Sequence, residues 1–218
     1  MQIQDHIITN IPVFKIEGTF EKVLDFFKTN TFSHVAITEK GKFVGVFSEN
    51  DMEVVKPKAK IEDYRYDLES FFVQKDTNWL DVLEAFARNE ANLLPIVGSD
   101  EQVIGYYDLT DIVAVFIDTP FFTDPGNILV IATAAKDYSF SEVAQIVESN
   151  NAKFIGGFIT DVQNDVVQIT IKISNTNFNE VVQTFRRYGY HILFGNADDQ
   201  FLENLKGRSD YLDKYLNV

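Results

Sequence analysis

The chain has 218 residues, 45% of them apolar, and no cysteine, which suffices to bury one large or two ordinary cores and excludes disulfides, thiolate metal sites and a cysteine nucleophile. Its formal charge of −14 would repel a phosphate backbone, so nucleic-acid binding through a broad basic face is not expected. No run of eighteen apolar residues and no basic-then-apolar leader occurs in it; no membrane span or signal peptide is expected, and a cytoplasmic protein is.

Compared with itself, the chain repeats. Ile3, Asp5 and Thr19 match Ile61, Asp63 and Thr77, and, after a two-residue slip, Phe26, Ile37, Gly45 and Asp51 match Phe86, Val97, Gly105 and Asp111. Each copy reads as strand, helix, strand, strand, helix. FEKVLDFFKTN (20–30) places Val23, Leu24, Phe26 and Phe27 on one side of a helix, and 78–89 does the same with Leu80, Leu83 and Phe86. The strands HVAIT and LPIVG follow, then the turns EKGK and SDEQ, then FVGVF and VIGYY, with a helix starting directly after each. One such unit cannot cover both faces of its sheet, so two copies should pack into one module.

DTPFFTDPGN, with two prolines and a glycine, marks a boundary near 119–126. ILVIATA (128–134) reads as a buried strand, Ser139 with Glu142 as a capping box, and KFIGGFI with VVQITIKI as a hairpin. Asn177 with Glu180 reads as a second cap, and HILF (191–194) as a last strand after Gly189. The order over 127–195 is βαββαβ, the ferredoxin-like arrangement. The 196–218 tail carries two amphipathic pieces, FLENL and YLDKYL, suited to packing or dimer contacts.

The candidate chemistry sits in VGVFSENDM (44–52) and its counterpart IGYYDLTDI (104–112). A strand that ends at a helix start presents unpaired backbone N–H groups, and a serine there adds a hydroxyl donor for an anion. An aspartate one turn later can accept hydrogen bonds from a ribose diol. Serine and aspartate at a helix start are also ordinary caps, so each copy taken singly reads first as a capped helix and only second as a binding element.

With DHIITNIPVF and both motifs, residues 1–118 resemble a pair of cystathionine-beta-synthase (CBS) domains, or Bateman module, with repeats at about 1–56 and 57–118. The resemblance implies clefts between two packed sheets that take adenine nucleotides or other adenosyl compounds, such as AMP, ADP, ATP or S-adenosylmethionine. Gly45, Ser48 and Asp51 satisfy its ribose-phosphate motif; Gly105 and Asp111 do too, but Asp108 replaces the hydroxyl residue. A carboxylate about 4 Å from a phosphate is repelled by roughly 4 kcal/mol at intermediate dielectric. The second cleft is therefore expected to reject phosphate-bearing ligands, leaving Asp108 as an N-cap or facing a neutral or cationic adenosyl ligand. The same resemblance adds Thr9, His34, Val35, Pro95 and Ile96 as ligand contacts; His34 equally suits a partly buried strand. Residues 127–195 resemble an ACT domain, although the AAKDYSF loop lacks the glycine common in ligand-binding members. Together the halves resemble acetoin-utilisation-type regulatory proteins.

No metal-ligand spacing of His6, His34 and His191, nucleophile elbow, Walker loop or G-x-G-x-x-G occurs. The expectation is a non-enzymatic α+β sensor, homodimeric, binding an adenosyl ligand with Gly45, Ser48 and Asp51. The alternative is an interaction module that has kept both folds without a ligand.

Overall fold

The computed structural model describes residues 3–195; the tail pieces FLENL and YLDKYL lie outside them. The chain divides into two compact units, Met1–Asp118 and Thr119–Val218.

In the first unit, β1 (Phe14–Lys15) pairs parallel with β2 (His34–Glu39), which turns back as β3 (Lys42–Ser48); α1 (Glu21–Thr29) links β1 to β2. The second copy repeats this with β4 (Val73–Gln74), α2 (Trp79–Arg88), β5 (Leu93–Val97) and β6 (Val103–Asp108), and continues into α3 (Leu109–Ile117). Strand pairing corrects the alignment of the copies. Phe14 pairs with Ile37 and Val73 with Ile96, while Ile37 faces Gly45 and Ile96 faces Gly105. Ile37 thus corresponds to Ile96, not Val97, and the extra residue falls in the second hairpin turn. The first turn is the tight two-residue kind, with Lys40 and Gly41 at φ 52° and 84°.

The slip has a consequence in α2. Val23 and Phe27 correspond to Val82 and Phe86, all buried, whereas Leu80, expected on the buried side, is 58% exposed. One residue along a helix turns a side chain by about 100°, so a one-residue misalignment picks the wrong face.

The helix expected after β3 is a five-residue 3-10 turn, Glu49–Glu53. β-branched Val54 and Val55 follow, and Pro57 disfavours helical geometry at Lys56. The second copy carries β-branched Ile112, Val113 and Val115 there but no proline before Pro120, and runs nine residues as α3.

Two helix-facing cores form, one around Phe20, Val23, Phe27, Val35, Ile37 and Phe47, the other around Val82, Phe86, Leu94, Ile96 and Tyr107. Between the sheets Ala36, Leu93 and Tyr106 make a third, smaller layer. Each copy's lead-in crosses to the other copy's hairpin: Ile8 bridges Tyr106, and Glu69 bridges Val46. Gly45 and Gly105 permit this, since a Cβ on them would lie 2.8 Å from the Glu69 carbonyl oxygen and 2.6 Å from that of Ile8.

In the second unit a short helix, α4 (Pro120–Thr123), precedes β7 (Asn127–Ala134), α5 (Phe140–Ser149), β8 (Phe154–Gln163), β9 (Val166–Ile173), α6 (Phe178–Arg187) and β10 (His191–Phe194). The sheet order β10-β7-β9-β8, antiparallel throughout, is the βαββαβ ferredoxin-like topology. Helices α5 and α6 cover one face through Val143, Ile146, Val147, Val181, Val182 and Phe185. Neither capping box forms. Ser139 makes no side-chain cap, and Glu142 instead accepts from the Tyr190 hydroxyl (2.7 Å). Asn177 adopts φ 52° and donates to the Asn150 carbonyl (2.9 Å). In both places a tertiary partner outcompetes the local cap.

Candidate functional site

Alternation along a strand decides which motif residues meet. His34 and Ser48 are cross-strand partners, as are Ala36 and Val46, so these four share the face of the first sheet that carries Ala36 into the inter-sheet layer. Val35 points the opposite way, into the helix-facing core, and Ile96 does the same in the second copy; both are fully buried there, away from the cleft. Pro95 pairs with Tyr106 and lies with it on the inter-sheet face. The pair corresponding to His34 and Ser48 is Leu93 and Asp108.

Thr9 does not join Ser48. Its segment is held on β6 by the Ile8 to Tyr106 bridge, so it stands beside Gly105 of the second motif. The segment that does reach the Ser48 motif is the second lead-in, through Glu69, with Ser70 and Phe71 following. Sequence reasoning missed these residues. Ser70 follows the bridging Glu69 as Thr9 follows the bridging Ile8, but the 3-10 helix before it spans Ile61–Asp67, against Gln4–His6 in the first copy. That difference in length hides the correspondence.

A continuous polar chain runs through this junction. The Asn92 backbone N–H donates to Ser33 Oγ (2.9 Å), Ser33 Oγ lies 2.8 Å from His34 Nδ1, and His34 Nε2 lies 3.2 Å from Glu69 Oε1. Every group is satisfied when the imidazole is neutral, accepting from the Ser33 hydroxyl at Nδ1 and donating from Nε2 to Glu69. Burial, with only 4% of His34 exposed, holds its pKa below the ordinary histidine value, against the opposing pull of Glu69 and Asp51. The Phe71 ring packs edge-on against the imidazole at 5.0 Å between centroids.

Ser48 is buried, and its Oγ accepts from the Asn50 N–H (3.2 Å), capping the 3-10 turn. Its own hydroxyl proton remains available to a ligand. Asp51, partly exposed, stands close enough to His34 to act on its charge. Ser70 and Phe71 also line a hollow of about 540 Å³ beside α2, within the range of small-molecule sites. In the other copy Asp108 accepts from the Thr110 N–H (2.6 Å), the N-cap expected of it. Lys56, Lys58 and Lys60 are exposed after the first motif. Among the described residues no cluster of three or more metal-ligating side chains occurs, and no helix is long and apolar enough to cross a membrane.

The duplicated hairpins, crossed lead-ins and paired motifs agree with the comparison to known families, in which the CBS domain matches residues 3–53 and again 65–118. Residues 3–118 are a tandem CBS-domain pair. No family assignment falls on the second unit. A CBS domain pair/ACT domain protein from Thermotoga maritima is similar over 54% of this chain and 98% of its own, at 19% identity and a TM-score of 0.49. The cytosolic domain of the Mg2+ channel MgtE, in complex with ATP, is similar over 50% of this chain and 46% of its own (22% identity, TM-score 0.43). CBSX2, in complex with AMP, is similar over 53% and 96% (18% identity, TM-score 0.44). No curated protein sequence matches the chain.

Proposed function

We propose that the protein is a non-catalytic sensor whose CBS pair binds an adenine nucleotide or other adenosyl ligand, AMP, ADP, ATP or S-adenosylmethionine among them, in the cleft of Gly45, Ser48 and Asp51. The observation that supports it best is the meeting of Ser48 and the buried His34 on one sheet face, with Glu69 bonded to His34 and Asp51 near enough to act on its charge. Ser48 supplies a hydroxyl donor, Asp51 an acceptor for a ribose diol, and the Phe71 ring an aromatic surface beside them. Because Ser33 and Asn92 tie the same cleft to the start of the second hairpin, a ligand that prefers one arrangement of that junction would shift its population. The second unit then serves as an ACT-like dimerisation or small-molecule-sensing domain in a homodimer, which light scattering of the eluting protein checks. Calorimetry with AMP, ADP, ATP and S-adenosylmethionine tests the ligand reading, and no heat of binding at millimolar ligand overturns it. Asp51→Ala should weaken binding while leaving the unfolding midpoint nearly unchanged, within about 0.5 kcal/mol.

A scaffold without ligand is the second reading, and one observation favours it. The Ala36 N–H donates to the Tyr106 hydroxyl (3.0 Å), which donates to the Pro12 carbonyl (3.0 Å), so a side chain already braces the inter-sheet layer. On that reading neither wild type nor Asp51→Ala binds any adenosyl compound.

A further inference from the structure

Resting on the reading that the Ser48 and Asp51 cleft takes a nucleoside-type ligand, we propose that Glu69 sets its charge selectivity, so that the cleft prefers a neutral or cationic nucleoside to a phosphate-bearing nucleotide. Glu69 is fixed in place by two backbone hydrogen bonds to Val46: the Val46 N–H donates to its carbonyl (2.8 Å) and its own N–H to that of Val46 (3.0 Å). Val46 precedes Ser48 by two residues on the same strand face, a spacing of about 7 Å. The Glu69 carboxylate is aimed back across that face at His34 Nε2.

Among the described residues no lysine or arginine is paired with it, and Lys56, Lys58 and Lys60 after the motif are exposed to solvent. His34 is the group best placed to offset its charge, and its contacts with Ser33 and Glu69 are satisfied by a neutral imidazole, the form that its burial favours. The charged groups that act on His34 are Glu69 and Asp51, both acidic. Arg65, on the same lead-in, is committed to Glu39 through two hydrogen bonds of 3.0 and 2.9 Å. Nor does the backbone offer a strong anion seat, because β3 runs into a 3-10 turn of five residues rather than a long helix, and the Asn50 N–H is already taken by Ser48 Oγ. A dianionic phosphate beside Ser48 would therefore meet two carboxylates and little to offset them. A ribose diol, an amine or a sulfonium would meet the same carboxylates as acceptors or counter-charges.

The test is calorimetry on the full chain with adenosine, S-adenosylmethionine and magnesium-free AMP, for wild type and Glu69→Gln. Wild type should bind adenosine or S-adenosylmethionine at least about tenfold more tightly than AMP, a gap of about 1.4 kcal/mol. Glu69→Gln should close that gap through tighter AMP binding. Wild-type preference for AMP, or a gap unmoved by Glu69→Gln, overturns the assignment while leaving ligand binding by the CBS pair intact. Absence of binding by all three overturns the sensor reading and the assignment with it. Should Glu69→Gln misfold, Glu69→Thr takes its place, with the same expected and overturning results.

Discussion

Tyr106 and Tyr107 are neighbours on β6 with opposite hydrogen-bonding fates. The Tyr106 hydroxyl accepts from the Ala36 N–H and donates to the Pro12 carbonyl, both inside the first unit's inter-sheet layer. The Tyr107 hydroxyl is buried without a partner among the described residues, where the first copy has Phe47. Deleting the first hydroxyl strands two buried backbone groups, and deleting the second removes an unpaired one. Tyr106→Phe should therefore destabilise by about 1–3 kcal/mol, and Tyr107→Phe should be neutral or stabilising by up to about 1 kcal/mol. Urea unfolding of both variants checks the contrast, and equal losses would refute it. His34 gives a pH prediction. Its folded pKa lies below the unfolded value of about 6.5, so the unfolded chain binds the extra proton in the interval between them. The stability this represents is fully present above about pH 7.5 and is lost as pH falls through 6.5 toward the folded value. His34→Leu, which copies Leu93 of the second repeat, should flatten the decline in unfolding midpoint between about pH 7.5 and 5.5. Parallel profiles for the two proteins would show that His34 does not carry it.

At the scale of elements, the crossing of the lead-ins depends on glycine. A Cβ at Gly105 would lie 2.6 Å from the Ile8 carbonyl oxygen and 2.8 Å from the Ile7 Cγ2. The first contact is with backbone that is hydrogen-bonded to Tyr106 in both directions at 2.9 Å, so it cannot yield without breaking the bridge. Gly105→Ala should cost about 1–3 kcal/mol as an overpacking change and expose the Ile8 amide to faster hydrogen exchange; unchanged exchange at Ile8 would show that the lead-in moves freely. This crossing is also where the sequence became hard to read. The hairpins were legible because apolar alternation and the glycine-to-aspartate spacing recur in both copies. The pairing of each motif with the other copy's lead-in was not, since it is made by backbone bridges at Ile8 and Glu69, which leave no side-chain pattern. Nothing in the sequence therefore tells that Thr9 belongs beside Gly105 of the second motif, or that Glu69 belongs beside Val46 of the first. The family resemblance implies Val35 and Ile96 as ligand contacts, yet alternation sends both into the helix-facing cores. The failed caps at Ser139 and Asn177 belong here too, because local spacing cannot anticipate that Tyr190 claims Glu142 or that Asn150 claims Asn177.

The whole molecule is governed by its acidity, and the excess is uneven. Residues 1–118 hold 11 Lys and Arg against 21 Asp and Glu, a balance of −10 out of the total of −14. The ion pairs described within this unit that join full charges, Lys28 with Asp25, Lys42 with Glu101, Arg65 with Glu39 and Arg88 with Glu84, leave most of its carboxylates unmatched. Exposed pairs of that kind contribute little to stability and are themselves screened by salt. Compaction brings the unmatched carboxylates together, and that self-repulsion is also screened, as the Debye length falls from about 30 Å at 0.01 M to about 3 Å at 1 M. With repulsions outnumbering attractions, the urea midpoint should rise between about 0.01 and 0.5 M sodium chloride; a falling midpoint would mean that the few pairs dominate. The same field acts on any charged ligand. Salt should then weaken the binding of a cationic adenosyl compound and strengthen that of a nucleotide, so the sign of the slope reports the ligand's charge against Glu69 and Asp51. Titrations with S-adenosylmethionine and AMP at the two salt concentrations should give slopes of opposite sign, and slopes of the same sign would show that the local field is not the one these carboxylates create.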